Sequence, residues 1–211
     1  FIPKSLPVVE LPEEKQVLSI GFYGNRDFYF LKESVQIVLE RMGIRDLKFK
    51  PLITHPSFHP GRTAEIYSGT DLMGYLGEVH PDVLENYDIR NKVYAGIIDF
   101  DKVVVLADQE VKYKPLPKYP AVTRDIAVVV DESILVGDLE DTIVENGEGL
   151  VESISLFDIY RGNQILENKK SVAFSIVYRS YDGTMTEDII NRIQKNTIAG
   201  LEKKHLAKLR S

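Results

Sequence analysis

Apolar residues recur along the chain with two periods, two and three-to-four, and the switches between them mark out its elements. Val17-Leu18-Ser19-Ile20-Gly21-Phe22-Tyr23 alternates as a strand. Over 31–42 the apolar positions are Leu31, Val35, Val38, Leu39 and Met42, one face of a helix closed by Gly43. A short strand is expected at 47–52, and 64–68 and 72–78 flank Gly69-Thr70-Asp71 as a hairpin. His80-Pro81 opens a short helix, and 93–100 is an apolar strand. Mostly antiparallel strands with few helices make this half an α+β layer.

Three prolines then fall within Lys112-Tyr113-Lys114-Pro115-Leu116-Pro117-Lys118-Tyr119-Pro120. Proline removes backbone donors and holds its predecessors extended, so this segment is expected to be a stiff connector. The organisation it predicts is a module over 1–112, a connector over 113–119 and a second domain over 120–211.

In the second domain, 124–130 reads as a strand, and 137–146, with Leu139 and Ile143 four apart, as a helix stopped by Gly147. Strands at 151–160 and 171–178 are joined across Arg161-Gly162-Asn163. Thr184-Met185-Thr186-Glu187 has the capping-box pattern and opens a last long helix, leaving 206–210 as a short final strand. The order β-α-β-β-α-β is the split βαβ arrangement of a ferredoxin-like sandwich, with both helices on one sheet face and the other face free.

Alternation assigns side chains to those faces. Phe157 and Ile159 are expected toward the helices, and Asp158 and Tyr160 on the open face, about 7 Å apart. Ile126, Val128, Val130, Val172, Phe174, Ile176 and Tyr178 suit the core. That leaves Asp125, Ala127, Val129, Ser171, Ala173, Ser175, Val177 and Arg179 open. One tyrosine and one carboxylate among small residues form a platform on which an unpaired base can stack while aspartate accepts from its edge. An ordinary solvated sheet face fits the same pattern, and alternation alone does not choose between them.

Composition narrows the chemistry. The 211 residues, 44% hydrophobic and 27% charged, suit two compact domains. The absence of cysteine excludes disulfides, thiolate zinc sites and a cysteine nucleophile, and fits a reducing compartment. No apolar run approaches the roughly 18 residues that span a bilayer, so no membrane partner is expected. The opening Phe1-Ile2-Pro3-Lys4-Ser5 carries neither methionine nor a signal pattern, which points to a fragment.

A net charge of −6 argues against nucleic-acid binding by bulk positive charge, yet Arg192, Lys195, Lys203, Lys204, Lys208 and Arg210 outnumber Glu187, Asp188 and Glu202 near the end. A solvated helix face accounts for the same charges. There is no Gly-x-Ser-x-Gly elbow and no phosphate-cradling loop, and Gly147-Glu148-Gly149 follows a helix instead of opening one. His55 and His59 have a helical metal-ligand spacing, but Pro56 and Pro60 follow them and deny the helix. No catalytic residue, metal site or cofactor is therefore expected within this chain.

Two sets of motifs carry a resemblance. Pro120-Ala121-Val122-Thr123-Arg124-Asp125-Ile126-Ala127-Val128-Val129-Val130, Leu156-Phe157-Asp158-Ile159-Tyr160-Arg161-Gly162, Lys170-Ser171-Val172-Ala173-Phe174 and Leu209-Arg210 resemble the ferredoxin-fold anticodon-binding domain of bacterial-type phenylalanyl-tRNA synthetase β chains. Upstream, His59-Pro60-Gly61-Arg62-Thr63-Ala64 and Met73-Gly74-Tyr75-Leu76-Gly77-Glu78-Val79-His80-Pro81 look like the preceding β-chain module, which is class II synthetase-like but non-catalytic.

The resemblance implies an α+β chain: an antiparallel class II synthetase-like module, then a ferredoxin-like βαββαβ sandwich. It further implies a cytoplasmic (αβ)₂ heterotetramer in which the α subunit joins phenylalanine to its tRNA with ATP and Mg²⁺. Proofreading would lie in an earlier part of β, leaving this fragment without catalysis. Asp158 and Tyr160 map onto the residues at the first anticodon base, and Ala127 and Ser171 onto matching open-face positions. Ser175 and Arg179 extend the same RNA-binding set. No Arg-x-Glu pair of the kind class II enzymes use for ATP occurs anywhere in the chain. Gly61-Arg62 is expected to shape a turn, with Arg62 serving structure or a subunit contact. The competing readings are a ferredoxin-like small-molecule-sensing or dimerisation module without RNA binding, and an enzyme using a metal at His55 and His59.

Overall fold

The computed structural model describes residues 11–12, 14–108, 110, 113, 115–162 and 165–210. The start Phe1 to Ser5, Lys112 and Lys114 of the connector and Asn163 of the hairpin turn lie outside them. Two compact units emerge, Phe1–Lys112 and Tyr113–Ser211. Among the described residues no helix is long and apolar enough to cross a membrane.

The first unit is a five-stranded sheet of β1 (Val17–Tyr23), β2 (Leu47–Pro51), β3 (Phe58–Ser68), β4 (Asp71–Val79) and β5 (Val93–Asp99), with α1 (Phe28–Arg41), α2 (Pro81–Asn86) and α3 (Phe100–Leu106). The strand order is β1-β5-β4-β3-β2, antiparallel throughout. Register puts Leu18, Ile20 and Phe22 opposite Ile98, Gly96 and Tyr94, so their side chains share one face. Leu31, Val35 and Leu39 of α1 are fully buried in the same cluster as Ile66, Met73, Leu76 and Ile98.

Helix α1 starts three residues before the apolar periodicity does. Asp27 sets that start, its carboxylate accepting from the Phe30 N–H at 2.9 Å. Strand β3 likewise begins well before residue 64. Its pairing with β4 skips between Phe58 and Thr63, so the segment expected as a turn at Gly61-Arg62 is an irregular stretch of strand.

The second unit comprises β6 (Val122–Asp131), α4 (Val136–Asn146), β7 (Val151–Tyr160), β8 (Lys169–Tyr178), α5 (Glu187–His205) and β9 (Lys208–Leu209). Its sheet order is β7-β8-β6-β9 with every neighbour antiparallel, the ferredoxin-type sandwich. Ile126, Val128 and Val130 of β6 and Val172, Phe174, Ile176 and Tyr178 of β8 bury against Leu139 and Ile143 of α4 and Ile190, Ile193 and Leu201 of α5. Each such large side chain contributes about 1.5–3 kcal/mol on burial, which makes this cluster the main support of the sheet.

The last helix corrects one expectation. Its N-cap is Thr186, with no side-chain cap bond, so the capping box from Thr184 is not formed. With the helix starting at Glu187, that residue takes the first position, too early to reach back. Glu187 and Asp188 instead place negative charge against the positive end of the helix. Leu206, in the left-handed region at φ 52°, ends α5 and turns the chain into β9.

Strand β7 corrects another. Ladder partners jump from Val151↔Tyr178 to Ser153↔Val177, and from Leu156↔Phe174 to Asp158↔Ala173. Glu152 and Phe157 are therefore extra residues, each at a β-bulge. Phe157, expected toward the helices, is 60% exposed and outside the core. The second bulge hands the helix side to Leu156 and Ile159, which oppose the buried Phe174 and Val172.

Candidate nucleic-acid interface

In an antiparallel ladder, directly opposed residues share a face. Tyr160 opposes Ser171, which opposes Val129, which opposes Lys208. One row further, Asp158 opposes Ala173 and Ala173 opposes Ala127. Asp158, Tyr160, Ala127 and Ser171 thus meet on the face away from the helices. Ser175 lies one row beyond, opposite Ser155 and Asp125. Ser171 and Ala173, only 2% and 7% exposed, form the floor of this surface.

Arg210 completes the arrangement, and alternation gave no hint of it. Its backbone N–H donates to the Ala127 carbonyl at 2.8 Å, extending the β9 pairing by one residue. The guanidinium then crosses the small-residue floor. Its carbon stands 5.2 Å from the centroid of the Tyr160 ring, and Nη1 donates to Ser171 Oγ at 3.3 Å. Such a contact is a cation–π interaction worth about 0.5–1 kcal/mol at an exposed site. The available signal was the strand at 206–210, whose pairing with β6 brings the last arginine to this face.

Gly162 bounds the ring elsewhere. A Cβ there would fall 2.5 Å from the Tyr160 hydroxyl oxygen and 2.7 Å from Cζ. Glycine lets the backbone pass this close to the ring, and a side chain here would have to shift the ring. The adjoining turn is fixed by charge: Arg161 pairs with Glu132 at 2.8 Å, and Lys170 Nζ donates to the Glu132 carbonyl at 2.9 Å. The Arg161 hydrogen bond, against the opposing effect of burial, holds the Glu132 carboxyl below its ordinary value. Burial pushes the Lys170 ammonium down.

Arg179 sits apart from this group. It follows β8, whose last residue Tyr178 opposes Val151, whereas Tyr160 opposes Ser171 at the other end of the hairpin. Its Nε donates to Glu152 Oε1 at 2.8 Å and its Nη1 to the Tyr119 carbonyl at 2.9 Å. The guanidinium is thereby tied to a bulge of β7 and to the end of the connector.

In the first unit, the two histidines each serve a local turn. His55 Nδ1 accepts from the Ser57 N–H at 3.2 Å and His59 Nδ1 from the Gly61 N–H at 3.0 Å. The His55 ring lies against Phe58 and Tyr75. Among the described residues no group of three or more His, Cys, Asp or Glu is placed to hold a metal. Arg62 Nη1 donates to both carboxylate oxygens of the buried Glu78, at 3.0 and 2.8 Å. Burial first, then the charge and hydrogen bond of Glu78, raise the Tyr94 hydroxyl above its ordinary pKa.

Comparison with known proteins follows the same division. The phenylalanyl tRNA synthetase beta chain CLM domain matches residues 1–100, and the ferredoxin-fold anticodon binding domain matches 117–210. The phenylalanine–tRNA ligase beta subunit of Clostridium tetani is 44% identical over 200 residues, covering 95% of this chain and 25% of the relative. Those of Clostridium acetobutylicum and Moorella thermoacetica are 42% and 38% identical, over 92% and 89% of this chain and 24% and 23% of their own length. The chain thus spans about a quarter of the curated relatives it matches. With the two domain matches in order along nearly all of its length, and these relatives alongside, the chain belongs to the phenylalanyl-tRNA synthetase β-chain family.

Proposed function

We propose that the second unit reads the anticodon of phenylalanine tRNA on the sheet face away from its helices. Tyr160 stacks on the first anticodon base, and Asp158 accepts a hydrogen bond from that base's edge. Ala127 and Ser171 form the floor, Ser175 extends it, and Arg179 braces the far end of the sheet through Glu152 and the Tyr119 carbonyl. The observation that carries this reading is the convergence of the Tyr160 ring, the Asp158 ladder position and the Arg210 guanidinium over a floor of small side chains. Single-stranded RNA is bound in this way, by rings for its bases and cations for its phosphates.

In the same reading the first unit is a class II synthetase-like module without catalysis, since the chain has no Arg-x-Glu pair to hold ATP. The pairing of the half-exposed Arg62 with the buried Glu78 supports a scaffolding role. Aminoacylation with ATP and Mg²⁺ then belongs to the α subunit of a cytoplasmic (αβ)₂ assembly. The units meet in the chain near 113–119, so each is a domain in its own right.

Titration with the anticodon stem-loop of phenylalanine tRNA, beside one with an altered anticodon, tests the proposal. Preferential binding of the first is expected. Equal binding of both, or of neither, would overturn it and leave a sensing or dimerisation module.

A further inference from the structure

The core of the second unit excludes one large aromatic side chain, and the backbone explains how. Phe157 and Asp158 together span a single step of β8, between the partners Phe174 and Ala173. Strict alternation along β7 would send Phe157 toward the helices. The bulge instead turns Ile159, packed on the core, and the 40%-exposed Leu156 to that side, and leaves Phe157 60% exposed. Bulges gather beside binding sites because they re-aim a side chain without ending the strand. Here the re-aimed ring stands next to Asp158 and three residues from Tyr160.

The surroundings say what such a ring would receive. Lys208 lies on the β9 side of the open face and Arg210, rooted beside it, reaches across to the Tyr160 ring, while Tyr160 and the Phe157 bulge lie on the β7 side. Ala127, Ala173 and Ser171 form a low floor between them. Cations rooted on one edge strand and rings carried by the other match a single RNA strand, whose phosphates take the cations and whose bases take the rings.

We propose that Phe157 is a second base platform, stacking the nucleobase next to the one on Tyr160. This rests on the anticodon reading and adds a subsite to it. The phenylalanine ring has no hydrogen-bonding group, so this subsite accepts any base and supplies affinity. Discrimination stays with Asp158, which lies between the two aromatic residues along β7.

The test uses the 211-residue chain and a set of phenylalanine anticodon stem-loops, each with one loop nucleotide made abasic. Affinities and thermal melts are measured for the unaltered chain, Phe157→Ala, Phe157→Leu and Tyr160→Ala. Phe157→Ala should weaken binding of the intact loop about 5- to 150-fold, the range of one base–aromatic stack. Phe157→Leu, apolar but without a flat face, should recover little. One abasic loop should bind the unaltered chain and Phe157→Ala equally, at a position different from the one that pairs with Tyr160→Ala. Unchanged affinity in Phe157→Ala, or one equal loss on every abasic loop, would overturn the inference. If the unaltered chain binds no loop at all, the anticodon reading fails and the second platform with it.

Discussion

Tyr160→Ala should weaken binding of the anticodon stem-loop about two- to thirty-fold while leaving the second unit folded, a range set by two opposing contributions. A base stacked on an aromatic side chain contributes about 1–3 kcal/mol. The ring is not bare beforehand, because the Arg210 guanidinium carbon already stands 5.2 Å from its centroid. A base inserted between them would need about 3.4 Å on each side, more than that gap provides, so on this side the arginine must move. Giving up the cation–π contact offsets about 0.5–1 kcal/mol of the stacking gain. With the weaker contact set against the weaker stack and the stronger against the stronger, the net of roughly 0.5–2 kcal/mol is what truncation removes. Stability should hardly change, since Tyr160 lies outside the core cluster. Tyr160→Phe, which keeps the face, should retain most of the affinity. Fluorescence anisotropy at fixed salt, with thermal melts of each variant, separates the two effects. Unchanged affinity per folded molecule would refute the stacking argument, and a melted Tyr160→Ala domain would make the residue part of the packing.

Four further outcomes are expected. Asp158→Asn replaces an acceptor-only group with one that also donates, so it should relax preference at one anticodon base more than it lowers affinity, as read with base-substituted loops. Gly162→Ala introduces a Cβ 2.5 Å from the Tyr160 hydroxyl oxygen, so it should displace the ring and weaken stem-loop binding several-fold with little change in melting; unaltered affinity would show that the ring accommodates it. Arg62→Ala leaves the buried Glu78 with Lys92 at 3.8 Å as its nearest cation. Because Arg62 is itself half exposed, the loss should be about 1–3 kcal/mol by urea unfolding, below that for a fully buried pair. Glu132, whose folded pKa is depressed, stabilises the fold above its ordinary value of 4.5, and that contribution disappears as pH falls through the lower folded value. Glu132→Gln should therefore flatten the acid side of the stability profile, measured by melting across that range.

The sequence was most readable where strands are regular. Ile126, Val128 and Val130 alternate without interruption, as do Val172, Phe174, Ile176 and Tyr178, and all seven are buried. Strand β7 was readable only in part, because each bulge resets the alternation and no residue type announces one. Asp158 and Tyr160 still reach the open face because both lie beyond the second bulge, whereas Phe157, the bulge residue itself, does not follow the pattern. Helix starts were misplaced for a related reason. The cap at Asp27 lies outside the apolar period of α1, and Thr184 offered a pattern whose helix begins two residues later. For Arg210 the local signal was only the short strand at 206–210; its place over Tyr160 is a product of tertiary pairing.

The two-residue strand β9 bears on how the binding face comes together as the chain folds. Tyr160 and Ser171 are brought opposite each other by a hairpin between neighbouring strands, a local closure with a small entropy cost. Ala127 joins them only when β6, far upstream, docks on β8. Arg210 arrives last in this order, since its position depends on β9 pairing with β6 across the greatest sequence separation in the unit. Contacts so distant in sequence, held by so short a strand, are the first to open under thermal fluctuation. Amide exchange should therefore be fastest along β9 and slowest in β8, with the ring platform persisting while its arginine comes and goes.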